Sequence, residues 1–120
     1  MRRSLTKQVI IRKKHDIDRI FKQGRRFSCK GMRLSVIANS LGYDRFIVIP
    51  ARKFGNSVER NRIRRQMKEI FRLYDGRLMP QSEHSAIGHD FALVVFPGKL
   101  SSHSLLESDF LSLLDRVAGK

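Results

Sequence analysis

Cysteine occurs once in this chain, at Cys29, tryptophan is absent, proline occurs three times, and 11 acidic residues stand against 25 lysines and arginines. A lone cysteine closes no internal disulfide, which excludes the stapled secreted scaffolds. The 4 histidines fit no Cys/His ligand spacing, which excludes a zinc finger. No apolar run approaches the roughly 18 residues of a membrane span. Arg2 and Arg3 lead only into Val9-Ile10-Ile11, too brief for the core of a secretory signal. The lack of acid before Asp16 is also a transit-peptide trait, but the basic character runs on past any such segment. The expectation is a cytoplasmic protein with no membrane contact and no obligate protein partner. With 120 residues, 41% of them apolar, there is material for a single domain, 1–120, with residues 1–10 as a flexible basic arm.

What the chain has in excess is positive charge, +14 in all, and it is concentrated. Residues 1–33 carry 12 basic and 2 acidic side chains, and residues 52–72 carry 8 and 2. Residues 34–51 are balanced, and residues 73–120 are slightly acidic, with 4 against 6. Surfaces made basic for solubility intersperse the signs, whereas two blocks of one sign point to a polyanionic partner.

Ile17, Ile20 and Phe21 repeat at helical spacing before Gly24, which predicts a short helix over 14–23 with Gly24 as its terminating residue. From Arg26 to Arg52 the pattern becomes strand-like. A short strand near Phe27, then Met32 to Ala38, a turn at Asn39-Ser40-Leu41-Gly42, and Phe46 to Ile49 follow in order. Pro50 lacks a ladder donor and should end that strand or hold it at an edge. Asn56 and Glu59 have the spacing of a capping box for a second helix over 57–74, whose apolar face is Ile63, Met67, Ile70, Phe71 and Tyr74. Residues 75–89 read as a loop, Phe91 to Phe96 as a buried strand, and Leu106 to Val117 as a last helix capped by Ser102 or Ser104. The order α, two or three β, α, β, α predicts an α+β or α/β sandwich with helices on a sheet.

The second helix carries the strongest functional signal. At 100° per residue, Asn61, Arg64, Arg65, Lys68 and Arg72 fall within an arc of about 100° beside the apolar face. A solvated charged face is the bland alternative. Arg60, Arg62, Arg64 and Arg65 nevertheless crowd like charges that repel without an anion, and guanidinium binds phosphate bidentately. Amides at the helix start near Ser57 are a further phosphate candidate. No catalytic constellation is evident, since His84, His89 and Asp90 lack the spacing of ligands or of an acid–base set.

The run Arg52 to Arg65, which includes Gly55-Asn56-Ser57-Val58-Glu59-Arg60-Asn61-Arg62, resembles the signature region of the bacterial ribonuclease P protein subunit. Ile11 to Ile17, Ile20 to Gly24 and Asp90 to Val95 extend the likeness, chiefly as pattern. The resemblance implies a single-domain α-β-β-β-α-β-α sandwich on a mixed sheet, with a left-handed crossover through the basic helix. It implies a protein cofactor for a ribozyme that removes the 5′ leader of precursor tRNA, the ribonuclease P RNA doing the hydrolysis with Mg2+ and the protein assisting substrate and metal binding. RNA-subunit contacts then fall to Lys53, Asn56, Arg60, Asn61, Arg62, Arg64, Arg65 and Lys68, with Arg62 pointing away from the main stripe. A cleft between the first helix and the sheet would take the leader with Ile17, Phe21, Met32, Ser35 and Arg52. Ile17 and Ser35 stand where the family often has aromatics and Phe96 stands near a frequent arginine; Phe27 or Phe46 are candidate replacement platforms. A ribosomal or other structural RNA-binding protein is the alternative reading. A DNA-binding regulator ranks third, because no helix-turn-helix spacing surrounds the basic helix.

Overall fold

The run from His89 to Val95 is apolar on both sides, and a strand of that kind belongs at the centre of a sheet covered on two faces. The computed structural model, which describes residues 8–78, 87–97 and 103–118, places it there. The elements are α1 (Lys14–Gln23), β1 (Arg25–Cys29), β2 (Met32–Ala38), β3 (Arg45–Pro50), α2 (Ser57–Leu73), β4 (His89–Val95) and α3 (His103–Val117). Strand order is β1-β2-β4-β3, with β4 antiparallel to β2 and parallel to β3. The turn after Ala38 therefore closes no hairpin, because β4 lies between β2 and β3. Pro50 both ends β3 and sits in an edge strand, where its missing N–H costs no ladder bond.

Alternation assigns the two faces. Met32, Leu34, Val36, Phe46, Val48, Phe91, Leu93 and Val95 face the larger core, which α2 closes with Ile63, Met67, Ile70 and Phe71, and α3 with Phe110, Leu113 and Leu114. Its centre is aromatic: Phe46 stacks on Phe71 at 4.4 Å between centroids and on Phe110 at 5.6 Å. Among the described residues the other face is covered by α1, whose Ile20 packs with Ile11 and Ala92, flanked by Ile17, Phe21, Ile37 and Ile47.

Part of the expected basic arm belongs to the fold. Val9 is buried in the larger core, and the chain runs along the free edge of β3, with Phe46 N–H donating to Val9 O at 2.8 Å and Ile11 N–H to Phe46 O at 3.0 Å. Residues 1–7 lie outside the described residues, as does Ser102. Ser104 falls inside α3 and is not its cap. Gly24 ends α1 for a reason other than a left-handed backbone. Its φ is −75°, and a Cβ there would lie 2.4 Å from Ile20 O and 2.9 Å from Val36 O.

Because both obstructing atoms are backbone, Gly24→Ala is expected to lift α1 from the sheet and lower stability by about 1–3 kcal/mol. Urea unfolding would show a lower midpoint; an unchanged midpoint would mean that the close approach is not required.

Candidate nucleic-acid interface

Two surfaces gather the cations, one on each side of the sheet. The first is α2. Its start is fixed by a complete capping box, Glu59 N–H donating to Asn56 Oδ1 at 2.9 Å and Asn56 N–H to Glu59 Oε1 at 3.1 Å. The box uses amides that the sequence offered to a phosphate and sets the Glu59 carboxylate beside them, so this helix start is a poor anion site.

The arginines of α2 divide by what they touch. Arg60 turns inward, donating to Ala51 O at 2.7 Å and Pro50 O at 3.1 Å, and so ties the first turn of α2 to the end of β3. Its guanidinium is a clamp on two carbonyls as much as a phosphate ligand. Arg64 Nη1 donates to Asn61 Oδ1 at 3.0 Å, which aligns both on one stripe. Arg72 is held by Glu69, with Nε to Oε2 at 3.0 Å, and this pairing raises the Arg72 pKa and lowers that of the exposed Glu69. Arg64, Arg65 and Lys68 remain as stripe cations with no acidic partner among the described residues. Lys53, Asn56 and Arg62 are exposed, as is Arg52 just beyond β3.

The second surface is the sheet face beneath α1. The helix crosses the strands obliquely, pinned at one end by the Gly24 approach and at the other by a charge chain. Arg45 donates to Asp90 through Nε at 2.8 Å and Nη2 at 2.6 Å, and its Nη1 lies 3.6 Å from Asp16 of α1. Asp90, 1% exposed, also accepts from Asn39 Nδ2 at 2.8 Å, and its hydrogen bond to Arg45 raises the arginine pKa. This role accounts for Asp90 without any acid–base chemistry. Under the helix lies the row Ser35, Ala92 and Ile47. The next row, Arg33, Val94 and Ile49, takes no part in the cluster under α1 and is partly or fully exposed. A strip of sheet thus stays open across the strands, bounded by the helix that carries half-buried Ile17 and Phe21.

The expected leader residues separate accordingly. Ile17 and Phe21 border the strip, whereas Ser35 lies in the neighbouring row beneath the helix, 0% exposed, its hydroxyl unpartnered among the described residues. Met32 does not belong: it pairs with Val95 and Cys29, faces the opposite core, and is 1% exposed. The error was one of parity, since Met32 and Ser35 differ by an odd number and point to opposite faces. Phe46 is wholly buried in the aromatic stack and Phe27 lies on the α3 side, so neither replaces an aromatic on this strip. The residues missed were Arg33 and Phe96. The Arg33 guanidinium sits 5.5 Å from the Phe96 ring centroid, an exposed cation–π pair on the side of the strip away from α1. Phe96 shares the parity of Val94, but Arg33 joins them only through the long-range pairing of β2 with β4.

Comparison with known proteins places these surfaces in context. The family model described as Ribonuclease P matches residues 5–118. The ribonuclease P protein component of Alkaliphilus metalliredigens is 30% identical over 108 residues, covering 89% of this chain and 91% of that protein. The solved RNase P protein of Thermotoga maritima superposes with a TM-score of 0.68 at 26% identity, covering 88% of this chain and 94% of the other. The Staphylococcus aureus RNase P protein gives 0.76 at 21% identity, covering 91% and 94%.

The division among the arginines is measurable without any ligand. Arg60→Ala, which strips the charge-assisted partner from two carbonyls, should lower stability by about 1.5–3 kcal/mol. Arg65→Ala, at an exposed position, should stay within about 0.5 kcal/mol of the parent. Equal losses in chemical denaturation would contradict the clamp.

Proposed function

We infer the function from one premise: the chain belongs to the ribonuclease P protein family. It is the protein subunit of a ribonuclease P, partner to the ribonuclease P RNA in tRNA processing, and part of an endonuclease holoenzyme. A ribosomal or purely structural role is not favoured by that membership.

The finer assignment is a division of labour between the two surfaces. The α2 stripe of Asn61, Arg64, Arg65 and Lys68, with Lys53, Asn56 and Arg62 at its margins, binds the RNA subunit. Arg60 serves there mainly by fixing the helix on β3. The open strip beside α1 takes the single-stranded 5′ leader of precursor tRNA, with Phe21 and Ile17 on one wall, Val94 and Ile49 on the floor, Ser35 behind that wall beneath the helix, and Arg52 at the end nearest α2. The observation that carries this reading is the half-covered sheet face, a largely apolar floor rimmed by cations. Unstacked bases lie on such floors while phosphates meet the rim. Leader removal then takes place in the cytoplasm.

In this assignment the RNA subunit performs the hydrolysis, with Mg2+ supplying Lewis acidity and an activated water. Among the described residues no three His, Cys, Asp or Glu side chains come together to hold a metal ion. No protein residue is therefore assigned to Mg2+, and the chain's own contribution is to bind and orient the two RNAs.

The test is binding of precursor tRNA, with and without its leader, to the holoenzyme. Phe21→Ala should weaken leader-containing substrate by a factor matching one lost stacking contact, about 1–3 kcal/mol, and leave leaderless tRNA and RNA-subunit affinity unchanged. Equal losses on both substrates would sink the leader assignment. Arg65→Ala should weaken RNA-subunit association and reduce its salt slope by about 1, the signature of one lost phosphate contact. An unaltered slope would remove Arg65 from the interface.

A further inference from the structure

The open strip runs across the strands and so has two ends. At the β3 end stand Arg52 and Lys53, next to α2. The other end is the outer edge of β1, and the RNA-binding assignment above does not use it. Unlike the edge of β3, which Val9 to Ile11 covers, the β1 edge has no strand or bridge paired to it among the described residues. Cations occupy it: Arg25, Arg26 and Lys30 come from β1 and its turn, and Arg116 reaches over from α3.

Arg116 Nη1 donates to Ser28 O at 2.8 Å, which shows that the Ser28 backbone points outward from the sheet. By the two-residue period of a strand, the Arg26 backbone does so as well. The Arg26 and Ser28 side chains lie on the α1 face, because they pair with Ser35 and Arg33. Arg25 and Phe27 lie on the opposite face. There two guanidiniums converge on one ring, Arg25 at 5.0 Å and Arg116 at 5.7 Å from the Phe27 centroid. Beside that ring opens a hollow of about 280 Å³, lined by Gln23, Arg25, Phe27, Val36, His89 and Val117. Burial pushes the Cys29 thiol up, with Asp109 adding to the rise and Arg116 opposing it; Asp109 is thus an acidic neighbour of Arg116, and the edge keeps surplus positive charge.

Edge lysines and arginines also discourage strand pairing between molecules, and that accounts for charge on β1 itself. It does not account for an arginine delivered from α3, nor for a hollow with an aromatic wall under paired guanidiniums. Those are the parts of a nucleotide site: a π-face and cavity for a base, and forked donors for its phosphate. The partner follows from charge continuity. Toward α2 the exposed side of α3 carries Glu107 and Asp115, which interrupts any path from the α2 stripe. Toward the strip the link is direct: Ser28 pairs with Arg33 of the open row, Arg116 donates to Ser28 O, and Arg26 and Arg25 follow along the same edge.

We propose that Arg25, Phe27 and Arg116 form a second subsite for single-stranded RNA, which holds a nucleotide of the precursor leader after the strand has left the cleft over the β1 edge. The base enters the hollow against Phe27 and the phosphate lies on Arg25 and Arg116. The proposal rests on the leader reading of the cleft and extends the bound leader beyond it.

The experiment compares holoenzyme affinity for three precursors: leaderless, with a leader long enough only for the cleft, and with one that continues past β1. The parent protein should bind the long leader roughly tenfold more tightly than the short one, the size of one base-stacking contact. Arg25→Gln combined with Arg116→Gln should erase that increment and keep the short-leader affinity. Phe27→Leu, which preserves bulk in the core, should erase it too, with thermal unfolding confirming a folded chain. If the parent distinguishes long from short leaders and both variants still do, or if the parent distinguishes leaderless from short but not short from long, the second subsite is wrong and the cleft assignment stands. If the parent makes no distinction among all three, both the subsite and the leader reading fall.

Discussion

Parallel pairing of β3 with β4 obliges the chain, having reached Pro50, to travel back along the sheet before it can enter His89 in the same direction. That return begins with α2, and the basic helix is consequently held by the core on one face and by the end of β3 at its start. Ile63, Met67, Ile70 and Phe71 anchor the first. The capping box and the Arg60 clamp on Ala51 and Pro50 anchor the second. A stripe that faces a rigid polyanion gains from such fixing, because the cations are already ordered before they meet phosphates. The same register places β4 at the centre of the sheet, so its small residue Ala92 lets α1 come close on the far side while its neighbour Val94 stays open.

The two faces are unequally covered, and the proposed leader cleft follows from that inequality. One face is buried under two helices and an aromatic stack; the other bears a single helix, tied down at its ends by the Gly24 contact and the Arg45, Asp90 and Asp16 chain. A sheet closed on both sides offers no floor for a nucleic acid strand, and one open on a whole side exposes too much apolar area. Partial cover leaves a strip one strand wide between two basic ends. Charge segregation follows the same geometry, with the slightly acidic α3 separating the α2 stripe from the β1 edge.

Much of this was legible beforehand. Helical spacing of Ile17, Ile20 and Phe21 located α1, and the Asn56 and Glu59 pair located the start of α2. What escaped depended on long-range pairing. No local pattern says that β4 inserts between β2 and β3, so the pairing of Arg33 with Phe96 was not foreseen; Met32, by contrast, was misread against the parity of its own strand. The glycine at position 24 was read correctly as a stop for the wrong reason, because the Val36 carbonyl that excludes a side chain is remote in sequence. Likewise, Arg60 looked like its neighbours in a charge pattern; only the position of two backbone carbonyls distinguishes it.

The central claim is that these two basic surfaces serve one reaction, and the most direct measurement is cleavage of precursor tRNA by a bacterial ribonuclease P RNA at low magnesium, with and without this protein. The account predicts that RNA alone is feeble under those conditions and that the protein restores accurate 5′ cleavage. Tight binding to the RNA without restored cleavage would contradict it.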